Sequence, residues 1–519
     1  GHSFLQTALR VTGLIFYLAL SFHRTDKANF MDILWIGDFM FYRQKYDTFI
    51  RVWDDTGYIV NKKDFSDRVT DASGAVFLNA LSRKPKELSE LAREIQKSFN
   101  GVDLDEIKND AAAFYQEFVD AGFIVCGNTI DELDKQDKGF SYASIKPEEA
   151  IIDYNPENKK SKKRDSREYL ENYFKDKPQL MSMQIELSSR CNERCIHCYI
   201  PHDKKINDID AALFYDILEQ CKDMRVLNFT MSGGEPMIHK NFYRFLQKAK
   251  DYDFCLTVLS NLTLLNDEII YELKNNKLSN VQVSLYSMDP DIHDSITKME
   301  GSFKKTMRGI EKLLENDIPL QISCPLMKQN KDSYFDVLKW AQEHKCRSRT
   351  DYIMMARYDR STSNLDNRLS LEETGKIIDT IIENDKSYQR ALLSPEFAAL
   401  EQRDAGNAIV CGVGISSICM ASNGNIYPCP GWQSYVCENA RNETLKNIWE
   451  KSPQIQFLRN LRQKDFPKCI VCKDFNFCSM CMVRNANESS TGDPFAINEH
   501  FCKVAALNHS KAMRWKEKQ

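Results

Sequence analysis

Three cysteines lie close together in the chain, in the run Cys191-Asn192-Glu193-Arg194-Cys195-Ile196-His197-Cys198. This CxxxCxxC spacing lets three thiolates surround one iron–sulfur cubane, for which thiolates are the preferred ligands. Because a cubane has four irons, three cysteines leave one iron open to a further ligand. A structural zinc site needs four ligands, and His197 would have to supply the fourth from within the same short loop. The spacing therefore favours a cluster with an open iron over a zinc knuckle.

Cysteine is also abundant elsewhere. The chain has 519 residues and 17 cysteines, nine of them beyond residue 410. Disulfide-stapled secreted domains are normally much shorter than this chain. Tight cysteine pairs in a long chain with a net charge of −4 favour metal or cluster ligation in a reducing compartment. We therefore expect an oxygen-sensitive cytoplasmic protein, with neither nucleic acid nor a membrane as partner.

The first 45 residues form an N-terminal extension of uncertain structure. Residues 11–22 are apolar and follow Arg10, but the run is short for a membrane-spanning helix. No small-residue cleavage site follows it, which disfavours the alternative of a signal peptide. We expect the natural chain to begin later, at Met31 or Met40.

Residues 46–126 are predicted to form a small α+β unit. Phe49–Trp53 and Tyr58–Val60 have the composition of strands on either side of a turn. Three helical patterns follow, over Ala75–Leu81, from Pro85 through Ile95, and from Leu104 to Phe118. Residues 127–178 are predicted to be a linker, whose basic run at residues 159–164 is typical of a solvated tether.

Strands and helices alternate over residues 179–385, which predicts parallel strands with helical crossovers. The fold class is therefore α/β, with six units that fit a partial (β/α)6 TIM-like barrel and its site in the loops after the strands. The predicted strands are Gln184–Leu187, Val226–Thr230, Cys255–Ser260, Val281–Leu285, Leu320–Ser323 and Asp351–Met354.

Residues 181–360 resemble the radical S-adenosylmethionine (SAM) superfamily. The cysteine triad follows the first predicted strand, and Ser232-Gly233-Gly234-Glu235-Pro236 follows the second, as the family's GGEP motif does. Leu285-Tyr286-Ser287 differs from the Asp-Gly that many relatives have after the serine. The resemblance implies that Cys191, Cys195 and Cys198 hold a [4Fe–4S] cluster. It further implies SAM contacts from Tyr199, Gly233, Gly234, Glu235, Pro236, Ser260, Asn261, Ser284, Leu326 and Arg357.

The same resemblance implies a radical mechanism. The reduced cluster would cleave SAM to methionine and a 5′-deoxyadenosyl radical, which abstracts a hydrogen atom from the substrate. The protein would orient the reactants and exclude water. No catalytic base is predicted: His197, Glu193, Asp359 and Tyr427 are neighbours of the site whose roles are more simply structural.

Residues 386–519 resemble the SPASM domain of peptide-modifying radical SAM enzymes, which binds two auxiliary [4Fe–4S] clusters and so brings the expected total to three. The resemblance implies one ligand set of Cys411, Cys429 and Cys481, with Cys419 as a possible fourth. It implies a second set of Cys469, Cys472, Cys478 and Cys502. The closing pair is CxxC where many relatives have three intervening residues. A pair of zinc sites is the alternative. We expect the remaining cysteines to be buried apolar residues, namely Cys126, Cys221, Cys255, Cys324, Cys346 and Cys437.

Residues 46–126 resemble the winged-helix-like recognition element of enzymes that modify ribosomally made peptides. Such an element binds a leader peptide as an added strand at a sheet edge. A DNA-binding winged helix is the alternative, but Asp103–Ala121 is acidic rather than rich in Lys and Arg.

Together these patterns predict an oxidoreductase that installs a cross-link, preferably a thioether, in a ribosomally synthesised precursor peptide. Carbon–carbon or ether cross-linking is the first alternative. Sulfatase maturation by formylglycine formation is another, although it would not need a leader-binding unit, and Pro430 replaces the acid expected there. A cysteine-rich binding or electron-transfer protein is the non-enzymatic alternative. A low-potential carrier such as flavodoxin or ferredoxin is the expected electron donor.

Overall fold

The computed structural model describes residues 40–139, 166–204, 206–276, 280–394 and 406–519. The apolar run at residues 11–22, the possible start at Met31 and the basic run at residues 159–164 lie outside them. Within the described ranges, no helix combines the length and the apolar character needed to cross a membrane.

The N-terminal unit consists of two small antiparallel sheets and four helices. Its described elements begin at residue 41 and continue past residue 126. The strands are β1 Phe41–Gln44, β2 Thr48–Trp53, β3 Thr56–Asn61, β4 Asp67–Thr70, β5 Lys86–Glu87 and β6 Ile124–Gly127, in the sheet orders β5-β1-β6 and β2-β3-β4. The helices are α1 Ala72–Ala80, α2 Leu88–Gln96, α3 Leu104–Asp120 and α4 Ile130–Gln136.

The core of this unit forms where the apolar faces of the helices meet the sheets. Leu91 and Ile95 repeat at helical spacing on α2, and Ala111 and Tyr115 do so on α3, and all four are fully buried. Asp103 caps α3 through its side chain, as an N-terminal aspartate is suited to do. The short helix α4 is anchored by Arg43, which forms an ion pair with Asp137 at 2.5 Å.

The middle of the chain forms a six-stranded parallel barrel segment. Its strands are β7 Ser182–Ser188, β8 Asn228–Gly233, β9 Cys255–Ser260, β10 Asn280–Ser284, β11 Leu320–Pro325 and β12 Arg347–Asp351, hydrogen-bonded in sequence order. The helices that precede and cover it are α5 Ser166–Tyr173, α6 Ala211–Asp223, α7 Phe242–Lys250, α8 Asp267–Asn275, α9 Pro290–Thr297, α10 Ser302–Glu315 and α11 Tyr334–Glu343. This arrangement confirms the predicted partial (β/α)6 barrel.

The sixth strand lies earlier than predicted, at Arg347–Asp351 instead of Asp351–Met354. It is the outer strand of the sheet and pairs only with β11, so its polar side chains can face solvent. The apolar run that attracted the prediction follows the strand. Tyr352 and Met354 are buried there, in the loop that leads away from the barrel.

The C-terminal part extends the barrel sheet to nine strands. Strand β13, Ser417–Met420, pairs in parallel with β7, and the antiparallel strands β14 Asn425–Tyr427 and β15 Glu438–Asn439 continue the sheet. The helices are α12 Leu371–Asn384, α13 Lys386–Leu393, α14 Leu445–Lys451, α15 Pro453–Asn460, α16 Pro467–Ile470, α17 Met482–Glu488 and α18 Glu499–Lys516. The cysteine-rich region is therefore joined to the barrel through its first strand.

The N-terminal unit packs against the end of the barrel where the strands begin. Phe49, Trp53 and Val69 form a cluster with Leu227 and Cys255, which precede or open strands β8 and β9. Arg51 is buried at this contact and donates hydrogen bonds to the carbonyls of two barrel loop residues, Val226 at 3.0 Å and Asp253 at 2.8 Å.

Candidate active site

The cysteine triad lies in the loop after β7, at the end of the barrel where the strands finish. All three thiols are half-buried. The loop is fixed by backbone hydrogen bonds from Arg194 to Thr297 at 2.9 Å and from Ile196 to Ile296 at 3.0 Å. The end of α9 therefore positions the cysteines independently of any bound group.

Burial and neighbouring groups disfavour ionisation of the Cys195 thiol. The pKa of Cys195 is raised well above its usual range, first by burial and then by Glu193, Cys198 and Cys191. Cys195 also donates to the Glu193 carboxylate at 3.3 Å. Thiols that become anionic as ligands lie close together here, and positively charged irons would stabilise them. This donor set therefore fits an iron–sulfur cluster.

The two glycines of the GGEP segment pack against the start of the cysteine loop. A Cβ atom on Gly233 would come within 2.2 Å of the Ser188 carbonyl oxygen, and one on Gly234 within 2.3 Å of the Arg190 carbonyl oxygen. Gly233 also has a φ of 149°, a conformation that favours glycine. Their small size lets Gly234 donate its N–H to the Ser188 carbonyl at 2.7 Å. The motif thus joins the second strand to the cluster loop.

Glu235 is fully buried and connects β8 with the end of β9. Its carboxylate accepts hydrogen bonds from the Ser260 hydroxyl at 2.8 Å, the Asn261 N–H at 2.8 Å and the Met237 N–H at 3.0 Å. Burial raises its pKa to about 7, although these hydrogen bonds oppose the rise. Pro236 is also buried and opens the short 3-10 helix that follows.

Asn261 extends this network to the cluster loop. Its side chain donates to the Asn192 side chain at 3.1 Å and accepts from the Thr263 hydroxyl at 2.8 Å. Asn192 in turn donates to the Thr263 hydroxyl at 2.7 Å. The polar pair Ser260-Asn261 therefore organises the loops around the triad.

Tyr286, the residue after Leu285, links the end of the fourth strand to the loop that holds the cysteine triad. Tyr286 is buried, and its hydroxyl lies 3.9 Å from the Cys195 sulfur and 3.4 Å from Nε2 of His197. Ser284 forms a hydrogen bond with the same Tyr286 hydroxyl. The difference from the family's Asp-Gly thus introduces an aromatic group that supports a cluster cysteine.

The remaining predicted SAM contacts lie in different environments. The carbonyl of Tyr199 accepts a hydrogen bond from the Tyr358 N–H at 3.1 Å, which ties the loop after β12 to the cluster loop. Arg357 donates to the Ser363 hydroxyl at 2.5 Å. Leu326 is fully buried in the main hydrophobic core.

The C-terminal cysteines with predicted ligand roles lie in two regions of the structure. Cys411, Cys429 and Cys481 each lie within electrostatic range of another member of that set. Cys419 is buried on β13. Burial raises the pKa of its thiol, and Cys429, Glu186 and Cys437 raise it further. It therefore lies at the side of the first set that faces the barrel.

The second group is closer to solvent. Burial is the largest cause of the raised pKa of Cys469, Cys478 and Cys502, and Cys472 raises the pKa of all three further. Cys472 and Cys502 are exposed. Among the described residues, no three Cys, His, Asp or Glu side chains converge enough to share one metal ion.

The other cysteines mostly have the environment expected of apolar residues. Five are buried, namely Cys221, Cys255, Cys324, Cys346 and Cys437, while Cys126 is half-buried. Of the neighbours considered as bases, Asp359 accepts from the Ser361 N–H at 3.0 Å and so stabilises its own turn.

Sequence reasoning missed a buried acid, Glu186, on the first barrel strand. Its side chain accepts a hydrogen bond at 2.6 Å from Gln433, four residues beyond Cys429. Burial raises the pKa of Glu186 to about 8. The sequence signal for this acid was its position between two apolar residues, Ile185 and Leu187, in a predicted strand. Both of those residues are buried in the core.

A large cleft separates the N-terminal unit from the C-terminal part. It has a volume of about 2570 Å³ and is lined by Trp53, Asp55 and Ala75 on one side and by Cys411, Cys478 and Cys481 on the other. None of the predicted SAM contacts lines it. The cleft therefore reaches the auxiliary cysteines from the side opposite the cluster loop.

Two family models match the chain. Residues 185–341 match the radical SAM superfamily, and residues 411–474 match the SPASM iron–sulfur cluster-binding domain. The first span contains the cysteine triad and the GGEP segment. The second contains Cys411, Cys419 and Cys429 of the first auxiliary group, and Cys469 and Cys472 of the second.

Curated relatives match about 60% of the chain. AdoMet-dependent heme synthase of Methanosarcina barkeri is 24% identical over 343 residues, which is 61% of this chain and 94% of that protein. The antilisterial bacteriocin subtilosin biosynthesis protein AlbA of Bacillus subtilis is 23% identical over 324 residues, 60% of this chain and 69% of that protein.

A solved structure shares the fold over a longer stretch. SuiB of Streptococcus suis, bound to its precursor peptide SuiA, has a TM-score of 0.55 and 17% sequence identity, and covers 88% of this chain and 99% of that one. Because residues 166–519 make up only about two thirds of the chain, this similarity must include part of the N-terminal unit. The barrel region thus matches the radical SAM superfamily, and the C-terminal region matches the SPASM iron–sulfur cluster-binding domain.

Proposed function

We propose that this enzyme matures a ribosomally synthesised precursor peptide in the cytoplasm by installing an intramolecular thioether. The observation that carries the proposal is the N-terminal unit, since the fold shared with peptide-bound SuiB includes part of it. AlbA, named for subtilosin biosynthesis, also matches in sequence. Carbon–carbon or ether cross-linking remains the alternative bond type, because the same leader-binding unit and cluster sites would serve it.

Strand β4 is the edge we assign to the leader peptide. The Asn61 N–H donates to the Ser66 carbonyl at 2.8 Å, so the alternation of an antiparallel ladder directs the backbone groups of Val69 away from β3. At the other edge, the β2 carbonyl of Thr48 accepts from Gln44 at 2.5 Å and from Arg83 at 2.9 Å. An added strand therefore finds better backbone partners beside β4.

The cleft between the N-terminal unit and the C-terminal part suits a long substrate. Its volume of about 2570 Å³ exceeds the roughly 300–1,000 Å³ of ordinary small-molecule sites. Because the predicted SAM contacts do not line it, we assign it to the leader segment. The reacting residues of the peptide would lie at the other end of the barrel, near the cluster loop.

The cysteine triad and the auxiliary cysteine sets would have different roles in the reaction. Cys191, Cys195 and Cys198 would hold the cluster that, when bound with SAM, supplies the 5′-deoxyadenosyl radical for hydrogen abstraction. Thioether formation also leaves one electron, for which the auxiliary cysteine sets provide cluster sites. A low-potential protein such as flavodoxin or ferredoxin would reduce the SAM cluster.

Porphyrin chemistry is a second candidate, favoured by the match to AdoMet-dependent heme synthase. That match covers 61% of the chain. The peptide proposal is preferred because it gives a role to the N-terminal unit.

The test is to reconstitute the full-length enzyme anaerobically with iron and sulfide. It is then incubated with SAM, a strong reductant and the short peptide encoded beside its gene. We expect the peptide to lose two hydrogen atoms, about 2 Da by high-resolution mass spectrometry, and to lose one alkylatable thiol. A two-hydrogen loss with the thiol intact would favour carbon–carbon or ether bonds. An unchanged peptide, together with turnover of an iron porphyrin precursor, would contradict the proposal.

A further inference from the structure

Arg484 is a buried cation on helix α17, beside the second auxiliary set. The residue is 6% exposed, and its Nη2 donates to the Ser479 hydroxyl at 2.9 Å. Its guanidinium also lies over the Phe501 ring, 4.1 Å from the ring centroid. Ser479 directly follows Cys478, and Phe501 directly precedes Cys502. Both side-chain contacts of Arg484 therefore come from chain neighbours of second-set cysteines.

Neither of these contacts neutralises the charge of Arg484, since a serine hydroxyl and an aromatic ring are both uncharged. Its Nη1 is buried and has no hydrogen-bond partner in the described part of the chain. Arg368 also lies over the Phe501 ring, but it donates two hydrogen bonds to the Glu488 carboxylate. A buried charge without a counter-charge is costly. The environment of Arg484 is therefore suited to a neighbouring anion.

A cluster bound by the second auxiliary set would be that anion. A [4Fe–4S] cluster takes four cysteine ligands, which is the number in this set: Cys469, Cys472, Cys478 and Cys502. Four thiolates outweigh the positive charge of the cubane core, and each added electron makes the cluster more negative. The uncompensated guanidinium thus fits an anionic cluster, and it favours the reduced form of that cluster over the oxidised form.

Two acids near the second set act in the opposite direction. Glu499 and Asp474 both lie within electrostatic range of Cys502. Glu499 is exposed, so water and salt screen its charge. Asp474 is hydrogen-bonded to Nδ1 of His509 at 2.8 Å. Arg484 has no such partner for its charge, and we expect its effect on the cluster to exceed theirs.

The first auxiliary set has a different electrostatic environment. The thiols of Cys411 and Cys429 are influenced by burial, by backbone groups and by other cysteines of the set, and by no described cation. The potential of an iron–sulfur cluster depends on the charges and hydrogen bonds around it. The two sets should therefore differ in reduction potential.

We propose that Arg484 raises the reduction potential of the second auxiliary cluster above that of the first. One electron then passes from the first cluster, which is oxidised, to the second, which is reduced, and no bond forms or breaks. Arginine keeps its charge throughout the pH range of folded proteins, so the effect does not depend on pH. The source of the electron, thioether formation, rests on the proposed function, whereas the order of the two potentials does not.

The test is an anaerobic redox titration of the reconstituted full-length protein, followed by electron paramagnetic resonance without SAM or peptide. Alanine replaces Cys191, Cys195 and Cys198 throughout, so that the signals come from the auxiliary clusters. R484Q should favour the oxidised second cluster at least tenfold, a fall of about 59 mV or more in its potential. R484K keeps the charge and should stay within about threefold of the unsubstituted protein.

The matched control is R459Q. Arg459 lines the same cleft as Arg484, lies over the Trp449 ring at 4.1 Å and has a buried Nη2 without a partner within the described ranges. The charged group in its electrostatic range is Glu450 and not a cysteine of either set. R459Q should leave both auxiliary potentials unchanged.

An unchanged second-cluster potential in R484Q, or an equal fall in R484K, would overturn the proposal. Because Cys481 of the first set caps the helix that carries Arg484, the first cluster is measured too, and an equal fall in both clusters would also overturn it. Weaker leader binding by R484Q at an unchanged potential would instead assign Arg484 to an anion in the cleft, which it also lines.

The protein with Arg484 intact provides a second measurement if R484Q does not assemble its clusters. The signal that appears first on reduction should be the one that disappears when the second-set cysteines are replaced by alanine. The opposite order would contradict the proposal. Because the titration contains no peptide, its result is independent of whether the enzyme forms a thioether.

Discussion

Glu235 organises the ends of two neighbouring barrel strands from inside the protein. Its carboxylate accepts three hydrogen bonds, two of them from backbone N–H groups. An amide in its place would direct an NH2 group at one of these donors. The Ser260-Asn261 segment would then lose its fixed position beside the cluster loop.

We therefore expect E235Q to destabilise the folded enzyme by about 1–3 kcal/mol, the usual cost of an unsatisfied buried group. The difference should depend on pH. Burial raises the pKa of Glu235 from 4.5 to about 7, so the native state binds this proton more tightly than the unfolded state. Its contribution to stability is then full below pH 4.5 and is lost as the pH rises through 7.

Denaturant unfolding under anaerobic conditions at pH 6 and pH 8 measures this effect. The stability gap between wild type and E235Q should narrow by about 1 kcal/mol at the higher pH. E272Q is the control, since Glu272 is a buried glutamate on α8, outside the site. A gap that stays constant or widens with pH would mean that Glu235 is ionised throughout this range.

At the scale of elements, repeating patterns were predictable and single polar exceptions were not. The strand at Cys255–Ser260 was predicted at its observed bounds because its apolar run ends where the buried strand ends. The strand at Arg347–Asp351 was predicted too late in the chain, because an edge strand tolerates polar residues and so lacks an apolar run. Pairing of β13 with β7 was not predictable, since nothing local to Ser417–Met420 specifies a partner more than 200 residues away. For the same reason, Glu186 could be found only once Gln433 was placed beside it.

Strand β4 gives the element-scale prediction. V69P removes the N–H that faces away from β3 and should leave the β3–β4 ladder intact, because proline is tolerated on edge strands. We expect leader-peptide affinity to fall at least tenfold, measured by fluorescence anisotropy with the full-length enzyme and a labelled leader. SAM cleavage without peptide should not change.

The control for this substitution is V69A. Val69 packs in the cluster beside the barrel, so alanine tests the loss of its side chain while keeping the N–H. Equal loss of affinity in V69A and V69P would assign the effect to packing. Unchanged affinity in V69P would place the leader at another surface.

At the scale of the whole molecule, the cysteines divide into one set on the barrel and two on the SPASM domain. Three [4Fe–4S] clusters would give about 12 irons per chain. We expect replacement of Cys191, Cys195 and Cys198 by alanine to remove about four, and replacement of Cys469, Cys472, Cys478 and Cys502 to remove another four. Iron and sulfide analysis of the reconstituted proteins measures this. Replacement of Cys221 and Cys324, which are buried away from every set, is the control.

Under the proposed function, the contact between the N-terminal unit and the barrel would couple leader binding to catalysis. Arg51 is the buried side chain at this contact, and it also forms an ion pair with Asp253 at 3.9 Å. Its removal leaves the carbonyls of Val226 and Asp253 without their donor, at a cost of roughly 1–3 kcal/mol each. The substitution R51A should therefore loosen the N-terminal unit while leaving the barrel loops of the active site intact.

A loosened unit still binds the leader but no longer delivers the peptide at a high effective concentration. We expect R51A to keep leader affinity within about threefold while cross-linking of the full peptide falls at least tenfold. Peptide-independent SAM cleavage should stay at the wild-type rate. R93A is the control, because Arg93 is an exposed arginine on α2 of the same unit. If R51A cross-links the full peptide at the wild-type rate, rigid attachment of the N-terminal unit is not what brings the substrate to the radical.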